Sequence, residues 1–292
     1  IFSFINPGML GDLKRFENKF IAPIESKQHP ERIQALRELV RPYILRRTKS
    51  EVLTELPPKI EQILFVEQSP EEAAFYEALR RNAEERTMAL LSDNNKISIF
   101  AEITKLRQAC CDSLLIDSSL SMENSKLTLF LETISNIIDN GHKVLVFSQY
   151  VSFLKIIKQA LDKKHISYQY LDGACTPAAR KKAVTAFQEG ASDAFLLSLK
   201  AGGSGLNLTA ADYVIHLDPW WNPAVEDQAS DRAHRIGQLR PVTVYRFIRK
   251  GTIEEKIVAL HKHKRDLAQD LLSGQGISGK LTDEELLGLF AS

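Results

Sequence analysis

Arg232 and Arg235 stand three positions apart in the stretch SDRAHRIGQ, and Gln228 precedes Arg232 by four. If the helix opened by Asn222-Pro223 continues until Gly237 stops it, the three residues fall at i, i+4 and i+7 and share one face. Two guanidiniums and an amide on one face suit a phosphate, because a guanidinium presents a planar fork of donors that matches phosphate oxygens. The bland alternative is a pair between Arg235 and Asp231, one turn earlier. Such a pair stabilises a helix by about 0.3–0.5 kcal/mol and leaves Arg232 and Gln228 unexplained.

Two further stretches carry possible chemistry. In SLKAGGSGLNLTAAD, Gly202, Gly203 and Gly205 allow close backbone approach and leave N–H groups free for phosphate oxygens. The stretch is not a dinucleotide fingerprint, since Leu208 occupies the position where that motif needs a small residue; a tight turn is its default reading. Lys200 stands at the lip of this loop, placed to meet a nucleic-acid phosphate. In DPWWNPAVEDQ, strand alternation sends Trp220 and Trp221 opposite ways, one into the core and the other to a surface where it can stack or wedge against a base. His216 and His234 have no ligand partners at metal spacing, and no metal is assigned.

These residues need a scaffold. From Ser125 onward the helix KLTLFLETISNIIDNG, stopped by Gly141, is followed by KVLVFSQY, an apolar run of strand length. After the amphipathic helix 151–164 come the strand ISYQYLDG, a helix with Thr176 as its cap and Pro177 in its first turn, and the strands AFLLSL, DYVIHLD and VTVYRFIRKG. Strands alternating with helices imply an α/β fold, a parallel sheet covered on both faces, with ligands at the carboxyl ends of the strands. FSQY, LDGA, KAGGSG and LDPWWNP all fall at those ends. Before Ser125 the chain reads as helical. Ile33, Leu36, Leu39 and Val40 keep helical spacing up to Pro42, residues 60–66 form a candidate strand after Pro57-Pro58, and Ser69, Pro70 and Glu72 start a helix reaching about Leu91. A second helix spans 97–111. After Thr252 a tail helix, capped with the help of Glu255, leads into the linker-like SGQGISGK. The expected organisation is therefore 1–124 linker and helical subdomain, 125–250 α/β lobe, and 251–292 helical tail.

Composition narrows the partners. Lys plus Arg (38) nearly cancels Asp plus Glu (37), so a nucleic-acid surface has to be a local patch. No apolar run approaches the roughly 20 residues of a membrane span, and no membrane partner is expected. The start IFSFINPGML lacks an initiator Met, a basic segment and a small-residue cleavage site, so the chain is expected to be a piece of a longer protein. Adjacent Cys110 and Cys111 are poorly placed to pair, which fits a reduced, intracellular protein of cytoplasm, nucleoid or nucleus.

The run Phe195–Phe247 closely resembles motifs V and VI of SWI/SNF-type DNA-dependent ATPases, superfamily-two helicase-like motors. VLVFSQY resembles motif IV, YLDGACTPAAR the next block, and NPGMLGDLKRF with VRPYILRRTKSEVLTELPPKIE the region connecting the two motor lobes. The resemblance extends from near residue 1 to about residue 257. It implies a RecA-like lobe and supplies the missing phosphate, the γ-phosphate of ATP held between two lobes. The first lobe would bring the phosphate-cradling loop, Mg²⁺ and a catalytic carboxylate. The second would bring arginine fingers, here Arg232 and Arg235, with Gln228 beside them. Gly203, Ser204, Gly205 and Asp231 would lie on the nucleotide side, and Ser148, Gln149, Lys200 and Trp221 would face double-stranded DNA. Arg46 and Arg47 would add DNA contacts from the connecting region, a solvated turn being the equal alternative.

The chain contains no G-x-x-x-x-G-K-[ST] and no D-E-x-H, so its expected partners are duplex DNA, an N-terminal lobe of the same polypeptide and a DNA-bound protein to be remodelled. By itself it is expected to be inactive. Two other classes stay open at this stage: a non-catalytic RecA-like module that binds nucleic acid or protein, and a nucleotide-dependent Rossmann-type transferase using the glycine loop.

Overall fold

Six strands pair in parallel in the order β1-β6-β5-β2-β4-β3: β1 (Lys59–Val66), β2 (Val144–Ser148), β3 (Tyr168–Leu171), β4 (Ala194–Ser198), β5 (Tyr213–His216) and β6 (Val242–Arg249). The computed structural model describes residues 2–25, 30–43, 56–92, 96–120, 122–202, 205–261 and 288–290. Among these, no helix is long and apolar enough to cross a membrane. Contacts divide the chain into two units, Ile1–Thr54 with Leu260–Thr282 and Glu55–Ala259 with Asp283–Ser292.

The first unit holds α1 (Phe2–Ile5), α2 (Leu13–Phe16), α3 (Ala22–Glu25) and α4 (Pro30–Val40). Asp12 caps α2 by accepting the Arg15 N–H at 2.8 Å. Arg46 and Arg47 lie outside the described residues.

The second unit carries the sheet, with α5 (Pro70–Ser92), α6 (Lys96–Cys111), α7 (Ser125–Asp139), α8 (Val151–Lys163), α9 (Pro177–Gln188), α10 (Leu199–Gly202) and α11 (Pro223–Ser230). Alternation along β2 divides its side chains between two cores. Val144 and Val146 join Phe130, Ile134, Phe153, Leu154 and Ile157 from α7 and α8. Leu145 and Phe147 join Phe187 of α9 and Ala229 of α11 on the opposite face. Every residue of β2 and β4 is buried, as a parallel sheet covered on both faces requires.

This unit begins at Glu55, well before the boundary expected at Ser125, because β1 pairs with β6 along its whole length, from Lys59↔Val242 to Val66↔Arg249. Glu72 binds the helical pair α5 and α6 to the lobe. It completes the capping box with Ser69 and also accepts the Ser125 N–H at 3.1 Å and Arg249 Nη2 at 2.7 Å. At the tail, the Glu255 carboxylate reaches back to the Gly251 N–H at 2.8 Å, while Thr252 Oγ1 accepts the Glu254 N–H at 3.3 Å.

Candidate functional site

The arginine segment begins with α11. Asn222 caps it through the Ala224 N–H at 3.1 Å, Pro223 occupies its first turn, and Asp231 closes it at Ser230. The helix therefore stops before either arginine, and the expected i, i+4, i+7 face does not exist as a helical face. Beyond Asp231 the chain tightens into three-residue turns, with Arg232 N bonded to Ala229 O at 3.1 Å and Ala233 N to Ser230 O at 3.1 Å. Gly237 then takes φ +99°, a left-handed conformation disfavoured for side-chain-bearing residues.

Buried Gln238 pins this turn. Its Nε2 donates to the carbonyls of Thr209, Ala211 and Ala233 at 3.1, 2.7 and 3.1 Å, and its Oε1 accepts the N–H groups of Leu239 and Arg240, both at 2.9 Å. The glycine loop is attached to the same turn, since the Leu208 N–H donates to Arg232 O at 3.0 Å. Tertiary structure thus brings the loop after β4 and the segment after α11 together, although helical periodicity does not.

Arg232 is 7% exposed while Arg235 and Gln228 are exposed. Burial holds the Arg232 guanidinium below its ordinary pKa, and the neighbouring Arg235 charge lowers it further against an opposing pull from Asp231. Gly205 is exposed at φ +65° with open space where a Cβ would stand. Gly203 and Ser204 lie outside the described residues, and Lys200 is exposed on α10.

The second part of the site is the loop after β5. Asp218, 4% exposed, accepts the Ser148 hydroxyl and, through both oxygens at 3.3 Å, the Gln149 N–H. Burial pushes the Asp218 carboxyl up to about 6, against the Ser148 hydrogen bond and the charges of Arg107 and Lys126. Ser148 is consequently buried and engaged by Asp218, not presented on the surface where duplex was expected. Gln149 is half-buried, and its Nε2 has no hydrogen-bond partner among the described residues.

The expected division of the tryptophans holds in part, since Trp220 packs against the core that holds Phe187 and Ala229 and Trp221 does not. Both are half-buried, and both rings face Arg107, whose Cζ lies 5.7 Å from the Trp220 centroid and 5.3 Å from that of Trp221. Irregular backbone after β5 does not alternate as a strand does, so neighbouring side chains can turn to one partner. Glu226, wholly buried on α11, accepts the Trp220 N–H at 2.7 Å and Arg246 Nε at 2.8 Å, while Arg246 Nη1 reaches Glu61 at 2.8 Å. His216 stacks on Phe147 at 5.5 Å and bonds Ser230 Oγ at 2.8 Å; His234 bonds Pro57 O at 2.7 Å.

Sequence reading missed Arg107, Lys126, Asp218, Glu226, Gln238, Arg246 and Glu254. Two of them carried a signal. Arg107 is a lone charge among Ile103, Leu106, Ala109, Cys110 and Cys111, all buried, and Lys126 opens the apolar run LTLFL. Charges on apolar faces are kept only when paired.

Family models match in two places: the helicase conserved C-terminal domain over residues 125–237 and the SNF2-related domain over residues 1–115. An uncharacterized ATP-dependent helicase of Mycoplasma pneumoniae is 41% identical over 99% of the chain, which spans 28% of that protein. The curated relatives it first matches are much longer, and the chain covers 28–32% of their length. Among solved structures, the Sulfolobus solfataricus SWI2/SNF2 ATPase C-terminal domain is 32% identical, with a TM-score of 0.64 over 79% of this chain and 97% of that one. The core of the Sulfolobus solfataricus ATPase in complex with dsDNA is 34% identical, with a TM-score of 0.66 over 98% of this chain and 62% of that one.

Proposed function

We propose, because this chain belongs to the SWI2/SNF2 family of ATPases, that it is the second motor lobe of an ATP-dependent double-stranded-DNA translocase. In this reading Arg232 and Arg235 meet the γ-phosphate of ATP held by a partner lobe of the same polypeptide. Gln228, Asp231 and the loop of Gly203, Ser204 and Gly205 line the same junction. Gln149, Lys200 and Trp221 grip the duplex, Arg46 and Arg47 add phosphate contacts, and Ser148 positions Gln149 through Asp218.

The observation that carries the proposal is the attachment of the loop after β4 to the arginine turn, through the Leu208 N–H on Arg232 O at 3.0 Å. Burial and the Arg235 charge disfavour the charged Arg232 guanidinium while Asp231 opposes them, and a phosphate beside the two arginines would favour it further. As charge builds on the transferring phosphoryl group the benefit grows, so the pair favours the transition state over bound ATP. The glycine loop supports this, because its bond to Arg232 O makes phosphate contacts and arginine placement parts of one unit. Among the described residues no group of three or more His, Cys, Asp or Glu converges to hold a metal.

The test is ATP turnover by a polypeptide carrying both lobes, with and without duplex DNA. Arg235→Ala should lower DNA-stimulated turnover by about 10³-fold or more while duplex affinity stays within about twofold. Unchanged turnover would remove Arg235 from the chemistry and leave a RecA-like binding module. The lobe is proposed to serve movement along duplex without strand separation, so strand displacement from a forked duplex at the rate of ATP turnover would overturn that part of the reading.

A further inference from the structure

We propose that Arg107 is the positioning residue of the tryptophan loop, a guanidinium delivered from α6 that fixes the rings of Trp220 and Trp221. It comes from 112 residues upstream of its backbone acceptor: Nη2 donates to Pro219 O at 2.5 Å. Its Cζ lies within 6 Å of three ring centroids, Trp221 at 5.3 Å, Trp220 at 5.7 Å and Tyr150 at 5.9 Å. The residue is 3% exposed, and its Nε has no hydrogen-bond partner among the described residues.

A guanidinium buried this deeply needs compensation, which here comes from the electron-rich faces of three rings and one carbonyl. Asp218 adds a through-space attraction, since Arg107 is among the charges that hold its carboxyl down. A planar cation among several rings sets their mutual orientation in a way that an apolar side chain of similar length cannot. Tyr150 follows Gln149 at the end of β2, while Pro219 and the tryptophans follow β5, so one side chain joins the two strand-end loops that carry the proposed DNA contacts. The loop after β5 has a second tether, the Trp220 N–H on Glu226, but that one fixes backbone only. Arg107 places one cation over both tryptophan rings.

The role in DNA binding rests on the reading of Trp221 as a duplex contact; the clamp itself does not. The chain has only two tryptophans, so its tryptophan emission reports on this loop alone. The experiment compares wild type, Arg107→Met and Arg107→Lys in the full 292-residue chain. It measures emission, acrylamide quenching and duplex-induced emission change, with far-UV circular dichroism to establish folding. In folded Arg107→Met the clamp predicts greater acrylamide accessibility, an altered emission maximum and about a 10-fold loss of duplex affinity, with Arg107→Lys intermediate. Unchanged emission and quenching in folded Arg107→Met would overturn the clamp, and if that variant does not fold, unchanged values in Arg107→Lys would do the same. If quenching rises in the variant but duplex leaves wild-type emission unaltered, the clamp stands and the reading of Trp221 as a duplex contact fails.

Discussion

Glu226 Oε2 accepts Arg246 Nε at 2.8 Å with both side chains buried, and Glu226 Oε1 accepts the Trp220 N–H at 2.7 Å. One carboxylate therefore joins α11, β6 and the loop after β5. Glu226→Ala should cost about 3 kcal/mol, the low end for breaking a buried pair, because Arg246 keeps Glu61 at 2.8 Å and Asp227 at 3.6 Å. Urea unfolding measures this, and a cost below about 1 kcal/mol would mean that Glu61 and Asp227 compensate fully.

Lys126 and Glu254 form a second pair at 2.7 Å, with neither side chain exposed. Lys126→Met should cost about 3–5 kcal/mol by stranding the carboxylate. Adding Glu254→Leu should recover only part of it. Lys126 Nζ also serves Leu217 O at 3.0 Å and Glu254 the Arg249 N–H at 2.8 Å, so the double variant leaves two buried groups unpaired at about 1–3 kcal/mol each. Chemical denaturation of both variants and the double supplies the cycle; full recovery would show that those two bonds contribute nothing.

Two buried groups make opposing contributions to stability against pH. Asp218 is pushed up to about 6 from 3.8, so its contribution is greatest below 3.8 and is lost as pH rises through about 6. His216 is pushed down by burial to about 4 from 6.5, so its contribution is present above 6.5 and is lost as pH falls through about 4. Each amounts to about 3 kcal/mol across its window, and between pH 4 and pH 6 they largely cancel. Asp218→Asn removes one side of the balance. The stability difference between variant and wild type should then change by about 2 kcal/mol between pH 7 and pH 4, in the variant's favour at pH 7. A difference that stays constant with pH would remove Asp218 from the titration.

Gln238→Glu keeps the shape of the side chain and removes the donor that serves three carbonyls. Loss of about 3 kcal/mol or more is expected, together with faster amide hydrogen exchange across residues 231–240. Exchange unchanged in that segment would show that Gly237 and the three-residue turns hold Arg232 and Arg235 without it.

Lys200 is exposed at the lip of the glycine loop. If it meets a duplex phosphate, Lys200→Ala should lower the slope of log affinity against log salt by about 0.9 while weakening binding evenly across sequences. A wild-type slope would place Lys200 away from the duplex.

The alternation of strands and helices, the caps at Thr176 and Asn222 and the capping box at Ser69 were legible from local pattern, because each depends on residues within a few positions. The strand expected at residues 60–66 was legible too, but not its place: pairing with β6, nearly two hundred residues away, leaves no local trace. The arginines could be named from SDRAHRIGQ, whereas the helical face assigned to them could not survive, since α11 ends at Ser230 and Gln238 sets the turn that follows.

Residue types and their order by themselves determined the α/β class and the family to which the chain belongs, because strand periodicity, cap chemistry and motif order are written along the chain. Only tertiary structure decided which charges are buried and what they face. Arg107 meets its tryptophans, Lys126 meets Glu254 and Arg246 meets Glu61 across separations of more than a hundred residues. Desolvation, which raises Asp218 and lowers His216, depends on what surrounds a group in space and not on its neighbours in sequence.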